Sequence, residues 1–244
     1  MRRRFFVEQF VGGRAVLGGD TAHHLGRVLR AEPGQLYELS DGNLVWLARI
    51  EEVKRDRVEF SLVENLAAAE QTLKTALLLS VVKFDAFEFA LEKATELGVS
   101  AIVPLAAARS EKALLVAAPK RSERWRKILL EASQQSRRLR IPTLAALTKP
   151  EAGFSAISEG TRVLLSERPG APSLRSTLKS LEGRGHRVVA LAIGPEGGWT
   201  ETEFQFAQHH SFCEASLGQL ILRTETAVIA ALASLNYAFS DARS

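Results

Sequence analysis

The most unusual local composition in the chain is Gly194-Pro195-Glu196-Gly197-Gly198. It follows an apolar run, residues 187–193, that reads as a strand buried on both faces. It precedes Thr200 and Glu203, spaced as a capping box, with Trp199 and Phe204 where a hydrophobic staple would sit. Glycines at a strand end let a ligand approach the backbone and leave amides free to meet it. In an open parallel sheet, ligands bind at the carboxyl ends of strands. Two phosphate-binding motifs are excluded: no Lys-Ser/Thr follows the last glycine, and the Gly-x-Gly-x-x-Gly spacing is absent. A plain tight turn is the alternative; the density of glycines at a strand end favours a ligand.

A second stretch, Leu217-Gly218-Gln219-Leu220-Ile221-Leu222-Arg223-Thr224-Glu225-Thr226-Ala227, also links a strand to a helix. Thr224 is the expected N-cap. Arg223 would then sit at a helix N-terminus, where a cation is unfavourable. Either a functional role or an ion pair with Glu225 or Glu196 would account for it. A third feature is basic: Arg121, Arg124, Arg126, Lys127, Arg137, Arg138 and Arg140 fall within one predicted helical region and its end. Residues 109–140 hold ten basic and three acidic residues, +7 on a chain whose net charge is +4, so the remainder carries −3. Such a block points to a polyanionic partner, with a solvated helix face as the alternative. Trp125 is expected to pack inward rather than stack on a base. His23, His24, His186, His209 and His210 have no spacing that suggests a metal site, and one cysteine rules out most structural zinc sets. That cysteine, Cys213, lies in an apolar strand and reads as core.

Two kinds of element must position these residues. Residues 1–70 read as short strands (4–9, 14–17, 36–40, 44–50 and 57–63) with one helix capped by Asp20 and ending before Pro33-Gly34. Asp41-Gly42 marks a hairpin, and residues 65–71 read as a linker. From residue 73 strands and helices alternate, the pattern of a mostly parallel sheet covered on both faces. Strands are expected at 73–82, 99–105, 162–166, 187–193 and 212–217. Helices are expected after Asp85, which pairs with Glu88 as a capping box and stops at Gly98, and over 119–139, 174–181, 200 onward and 224–239. The composition, 46% hydrophobic and 25% charged, is that of an ordinary globular protein. No run reaches membrane-spanning length and no secretory signal is expected. A single cysteine fits a reducing, cytoplasmic setting.

The chain resembles the bacterial 16S rRNA uridine-N3 methyltransferases of the SPOUT superfamily. The resemblance is carried by Arg3-Arg4-Phe5-Phe6-Val7, His23-His24-Leu25 through Val28-Leu29-Arg30, Lys93-Ala94-Thr95-Glu96-Leu97-Gly98-Val99, and Glu131-Ala132 with Gln135-Ser136 and Arg138. It closes with Ile193 through Gly198, Leu217-Gly218, and Ile221 through Ala227. The resemblance implies a PUA-like RNA-binding β-barrel over 1–70 and an α/β methyltransferase domain over 71–244, threaded as a deep trefoil knot. It implies S-adenosylmethionine as cofactor, held by Ser166, Glu167, Ile193, Gly194, Pro195, Glu196, Gly197, Gly198, Leu217, Gly218, Ile221, Leu222 and Thr226, with the loop running on to Arg168. It implies methylation of N3 of uridine 1498 in 16S rRNA, a homodimer, and no metal. Arg223, and after it Arg4, are the candidates for steadying the uridine anion. Arg3, Arg30, Arg121, Arg124, Lys127 and Arg138 are the candidates for RNA contact. The chain departs from the family at Phe84 and Ala86, where a glycine and a basic residue are usual, and at Leu220, where a basic residue is usual. Other readings are a SPOUT methyltransferase acting on another RNA position and a non-catalytic assembly factor.

Overall fold

The structure, a computed structural model, describes residues 3–68, 73–181 and 188–239. Part of the linker expected over 65–71 lies outside them, as do His186 and Arg187. The chain forms two units: residues 1–70 with 133–141, and residues 71–132 with 142–244.

The first unit contains β1 (Arg4–Phe6), β2 (Arg14–Gly18), α1 (Gly19–His23), β3 (Leu36–Ser40), β4 (Val45–Val53) and β5 (Arg57–Leu66). They form one sheet in the order β1-β3-β4-β5-β2, antiparallel except where β1 pairs with β3. The barrel expectation takes the form of a curled half-barrel. Alternating residues of its strands, Phe5, Leu17, Leu39, Ile50 and Phe60, are buried with Leu25 in one apolar cluster. The β3–β4 turn is built by Asp41, whose Oδ1 accepts from the amides of Asn43 and Leu44 at 2.8 and 2.7 Å. Gly42 takes the left-handed φ of +89° that this turn needs. Residues 133–141 are fastened into the same unit. Arg4 donates to Glu38 at 3.0 Å and to the Arg137 carbonyl at 2.7 Å, and the Ser40 hydroxyl donates to the Leu139 carbonyl at 2.8 Å.

The helix expected from Asp20 to Arg30 is shorter and irregular. α1 starts at Gly19 with Gly18 as its uncapped N-terminus, and a π-helical turn, His24–Val28, follows it. Asp20 lies in the first turn, where its charge suits the helix dipole without capping.

The second unit runs β6 (Lys74–Ser80), α2 (Phe84–Glu96), β7 (Ala101–Leu105), α3 (Lys112–Ala117), α4 (Ser122–Gln135), β8 (Thr143–Leu144), α5 (Pro150–Ser155), β9 (Thr161–Leu165), α6 (Leu174–Leu181), β10 (Val188–Ile193), α7 (Glu201–His209), β11 (Cys213–Ala215) and α8 (Thr224–Phe239). The last turn of α4 belongs to the first unit. All six strands are parallel, in the order β11-β9-β10-β6-β7-β8. Successive side chains point to opposite faces. Leu77, Leu79, Val163, Leu165, Val189 and Leu191 meet α2, α4, α6 and α8, while Leu78, Leu164, Ala190 and Ala192 meet α5 and α7. Both faces are thus covered, which is why these strands read as unbroken apolar runs.

Three local expectations change here. The single helix expected over 119–139 opens as a 3-10 turn (Ala118–Arg121) and continues as α4, which stops at Gln135, while the separate short α3 precedes it. Pro119, which lacks an amide donor, falls at the start of the 3-10 turn, and Arg137, at φ +54°, lies past the end of α4. Asp85 does not cap α2: the N-cap is Lys83, without a side-chain bond. Glu88 turns away from the backbone and is buried between Arg124, at 2.7 Å, and Arg121, at 3.2 Å. Cys213 is exposed: it starts β11, a three-residue strand at the sheet edge of which only Ala215 is buried. Trp125 packs inward as expected, 2% exposed and 4.6 Å from the Phe87 ring.

Candidate functional site

A cavity of about 390 Å³ opens in the second unit beyond the carboxyl ends of β9, β10 and β11. Each strand contributes the loop that leaves it. After β9, the Ser166 hydroxyl accepts from the Arg168 amide at 3.0 Å, folding a tight turn that carries Glu167 and Arg168. The Arg168 guanidinium lies 4.5 Å over the Phe204 ring and 3.5 Å from Glu201.

After β10, Gly194 sits against the Trp199 ring, where a Cβ would come within 3.1 Å of the indole. The Trp199 indole N–H donates to the Leu165 carbonyl at 3.0 Å, tying this loop to the end of β9. The Gly198 amide closes a turn onto the Pro195 carbonyl at 2.8 Å, and Gly198 holds the left-handed φ of +69° that favours glycine. The expected capping box is present: the Thr200 hydroxyl and Glu203 satisfy each other's backbone amides at the start of α7.

After β11, Ser216 bridges to Gly218, accepting its amide at 3.2 Å and donating to its carbonyl at 2.9 Å. Gly218 adopts φ +138°. The chain then passes through Leu220 and Ile221, 82% and 80% exposed, to α8. The Arg223 carbonyl accepts the Ala227 amide at 2.9 Å, so Arg223 rather than Thr224 holds the N-cap position. Thr224 is buried as the first helical residue.

Of the residues implied for cofactor binding, Ser166, Glu167, Ile193 through Gly198, Leu217, Gly218, Ile221 and Leu222 line the cavity. Thr226 does not; it is exposed, while Thr224 and Ala227, three positions apart on one helix face, are in the lining. Arg223 is exposed and outside the lining, and no carboxylate pairs with it among the described residues. The alternative of an ion pair with Glu225 or Glu196 is therefore not realised among the described residues. Arg4 belongs to the first unit, 12% exposed at its side chain and held by Glu38. Arg3 and Arg30 are exposed in the same unit, Arg30 with a φ of +50°. Lys127 is exposed on α4, whereas Arg121 and Arg124 are engaged by Glu88. Arg138 is partly buried, which pushes its pKa down to about 10, and it donates to the Arg140 carbonyl.

One wall was not foreseen. The segment following β7 brings Arg109 to the cavity, where its Nη1 donates to the carbonyls of Gly197, at 2.8 Å, and Trp199, at 3.2 Å. The signal available was a basic residue four positions past a strand end. Leu165, Trp199 and Phe204 also line the cavity. Among the described residues, no group of three or more His, Cys, Asp or Glu side chains is placed to hold a metal ion, and no helix is long and apolar enough to cross a membrane.

This arrangement suits a small molecule with an apolar body and charged ends. Leu165, Ile193, Leu217 and Leu222 supply apolar walls, Glu167 and Glu196 suit a cationic group, and Arg168 suits an anionic one.

Residues 69–236 match the family described as the RNA methyltransferase domain, and residues 17–63 match the RNA methyltransferase PUA domain. The chain is 34% identical over 233 residues to ribosomal RNA small subunit methyltransferase E of Synechocystis sp., covering 94% of this chain and 75% of that protein. It is 30% identical to the enzyme of that name from Bacillus subtilis, covering 90% and 88%. The crystal structure of ribosomal RNA small subunit methyltransferase E from Neisseria gonorrhoeae bound to S-adenosyl methionine superposes with a TM-score of 0.86 at 29% identity, covering 97% of this chain and 98% of that one. With the same α/β architecture, the same preceding PUA-like unit and a match to the family over most of its length, the chain belongs to the ribosomal RNA small subunit methyltransferase E family.

Proposed function

We propose that this protein transfers a methyl group from S-adenosylmethionine to N3 of a uridine in small-subunit ribosomal RNA, uridine 1498 of 16S rRNA. The observation that carries the reading is the cavity walled by the three strand-end loops at 166–168, 194–199 and 216–222. These residues fit the cofactor. The amides of Glu196 and Gly197 have no protein acceptor among the described residues, and Gly194 leaves room that a Cβ against Trp199 would fill. When bound, the cofactor supplies an electrophilic methyl on a sulfonium. The protein's part is to align donor and acceptor in line and to stabilise the charge that develops as the uridine N3 proton leaves. Arg223 is the candidate for stabilising that charge. Its guanidinium is exposed, without a carboxylate partner among the described residues, and follows directly on the cavity-lining stretch.

Residues 1–70 serve as the RNA-binding domain and residues 71–244 as the catalytic one, the latter threaded as a trefoil knot. The protein works as a cytoplasmic homodimer. The PUA-like match and the exposed Arg3 and Arg30 support RNA contact by the first unit. Calorimetry with S-adenosylmethionine and S-adenosylhomocysteine, without added metal, checks the cofactor. Mapping methylated bases in rRNA from cells with and without the gene checks the acceptor. Absence of cofactor binding at millimolar concentration rejects the enzyme, and methylation elsewhere in rRNA or tRNA moves the substrate.

A further inference from the structure

The loop from Gly194 to Trp199 has exposed residues at Glu196 and Gly197, yet it is held by contacts from outside itself. The Trp199 indole ties it to β9. The other ties come from the segment after β7, about ninety positions earlier in the chain. Arg109 donates from one nitrogen, Nη1, to two loop carbonyls, Gly197 and Trp199. The Gly197 Cα packs on the Arg109 stem, and a Cβ there would lie 3.2 Å from the Arg109 Cβ. Glu203 reaches back the other way. While one of its oxygens caps α7 through the Thr200 amide and hydroxyl, the other accepts the Ala108 amide at 2.8 Å. The Glu203 residue is 7% exposed.

A peptide plane points its C=O and its N–H in opposite directions. In the plane joining Gly197 to Gly198, Arg109 takes the carbonyl and Pro195 O takes the N–H. In the plane joining Trp199 to Thr200, Arg109 takes the carbonyl and Glu203 takes the N–H. Two alternate planes of the loop are therefore fixed at both ends. The Trp199 amide, in the plane between them, and the Gly197 and Glu196 amides, in the planes before them, are left with no protein acceptor among the described residues. Unsatisfied amides beside a cavity are donors for a ligand.

We infer that Arg109 is a positioning residue: clamped with Glu203 across the β7 loop, it sets the peptide planes of the 194–199 loop in the orientation that presents free amides to the cofactor. Preorganised donors bind without the cost of ordering them at the moment of binding. A loop without the clamp would sample other plane orientations, and the ligand would have to select among them. The effect belongs to cofactor affinity rather than to the chemical step, because Arg109 acts through the backbone of another loop. This inference rests on the cofactor reading above.

The test uses the full chain with S-adenosylhomocysteine as probe, and three variants: Arg109→Ala, Arg109→Lys and Arg109→Gln. Arg109→Ala is expected to raise the Kd for S-adenosylhomocysteine about tenfold or more, the scale of losing charge-assisted bonds to two carbonyls. The KM for S-adenosylmethionine should rise in step, while kcat at saturating cofactor and the KM for RNA stay near those of the parent protein. Arg109→Lys, whose ammonium can still donate to a carbonyl, should fall between. A lowered melting temperature with an unchanged Kd overturns the inference and leaves Arg109 a purely stabilising side chain. Where Arg109→Ala does not fold, Arg109→Gln decides: weaker binding at a native melting temperature supports the clamp, and unchanged binding overturns it. Failure of the parent protein itself to bind either cofactor form overturns the enzyme reading instead, so the two failures are distinct.

Discussion

Arg223 and Gly197 answer to different ligands, the first to the acceptor base and the second to the cofactor. Arg223 stands at the N-cap of α8, where the helix dipole disfavours its charge and no described carboxylate offsets it. If it acts on the developing uridine anion, Arg223→Ala lowers turnover about a hundredfold, on the order of 3 kcal/mol, with cofactor affinity near normal. Single-turnover kinetics together with calorimetry check this, and a normal rate removes Arg223 from the mechanism. Gly197 sits against Arg109 with its Cα facing the stem. Gly197→Val should abolish cofactor binding while the chain keeps its melting temperature without ligand; the parent protein's melting temperature should rise with added cofactor and the variant's should not. At this scale the sequence was legible where residue types were concentrated. Gly-Pro-Glu-Gly-Gly announces a special backbone in five positions. Arg109 announces nothing, because its partners lie 88 and 90 residues away and meet it only once β7 and β10 flank β6 in the sheet. Glu88 misled for a related reason: its spacing from Asp85 mimics a capping box, but its true partners lie 33 and 36 residues on.

At the scale of elements, period-two and helical patterns identified most of the strands and helices, since burial on one or both faces leaves a clear hydrophobic signature. Short elements escaped. β11 has three residues at the sheet edge; Cys213 and Ala215, two positions apart, share a face, yet Ala215 is buried while Cys213, at the strand's start, is exposed. The pattern over 119–139 predicts one helix, but a 3-10 turn opens it, α4 ends at Gln135, and residues 133–141 belong to the first unit. This division changes what the charges can do. Arg121 and Arg124 offset the buried Glu88, so the exposed charge of α4 is carried chiefly by Arg126 and Lys127. Replacing both with glutamine should lower the salt dependence of RNA binding by up to about two counterions, near 0.7 to 0.9 in the log–log slope for each phosphate no longer neutralised. Binding measured across a salt series checks this, and an unchanged slope assigns that face to solvent. Replacing Arg121 and Arg124 should instead lower the melting temperature, because Glu88 would be left buried without its cations.

At the scale of the whole molecule, the proposed homodimer is checked by light scattering at micromolar concentration, where a monomeric mass refutes it. Tyr237 on α8 is 92% exposed, and with Leu220 and Ile221 it places large apolar side chains in solvent. Tyr237→Asp should therefore shift the population toward monomer if α8 forms the dimer contact. The first unit has a plainer consequence. Its fold includes residues 133–141, held by the Arg4, Glu38 and Ser40 side chains and by Arg140 bonding the Gly42 carbonyl. The unit is thus discontinuous in the gene: a fragment ending at residue 70 lacks a segment that its side chains hold, and one beginning at residue 71 carries that segment without those partners. Exchange between relatives can conserve the fold only if both pieces travel together, so recombination at the apparent domain boundary should yield chimaeras that fold poorly even when each parent is stable.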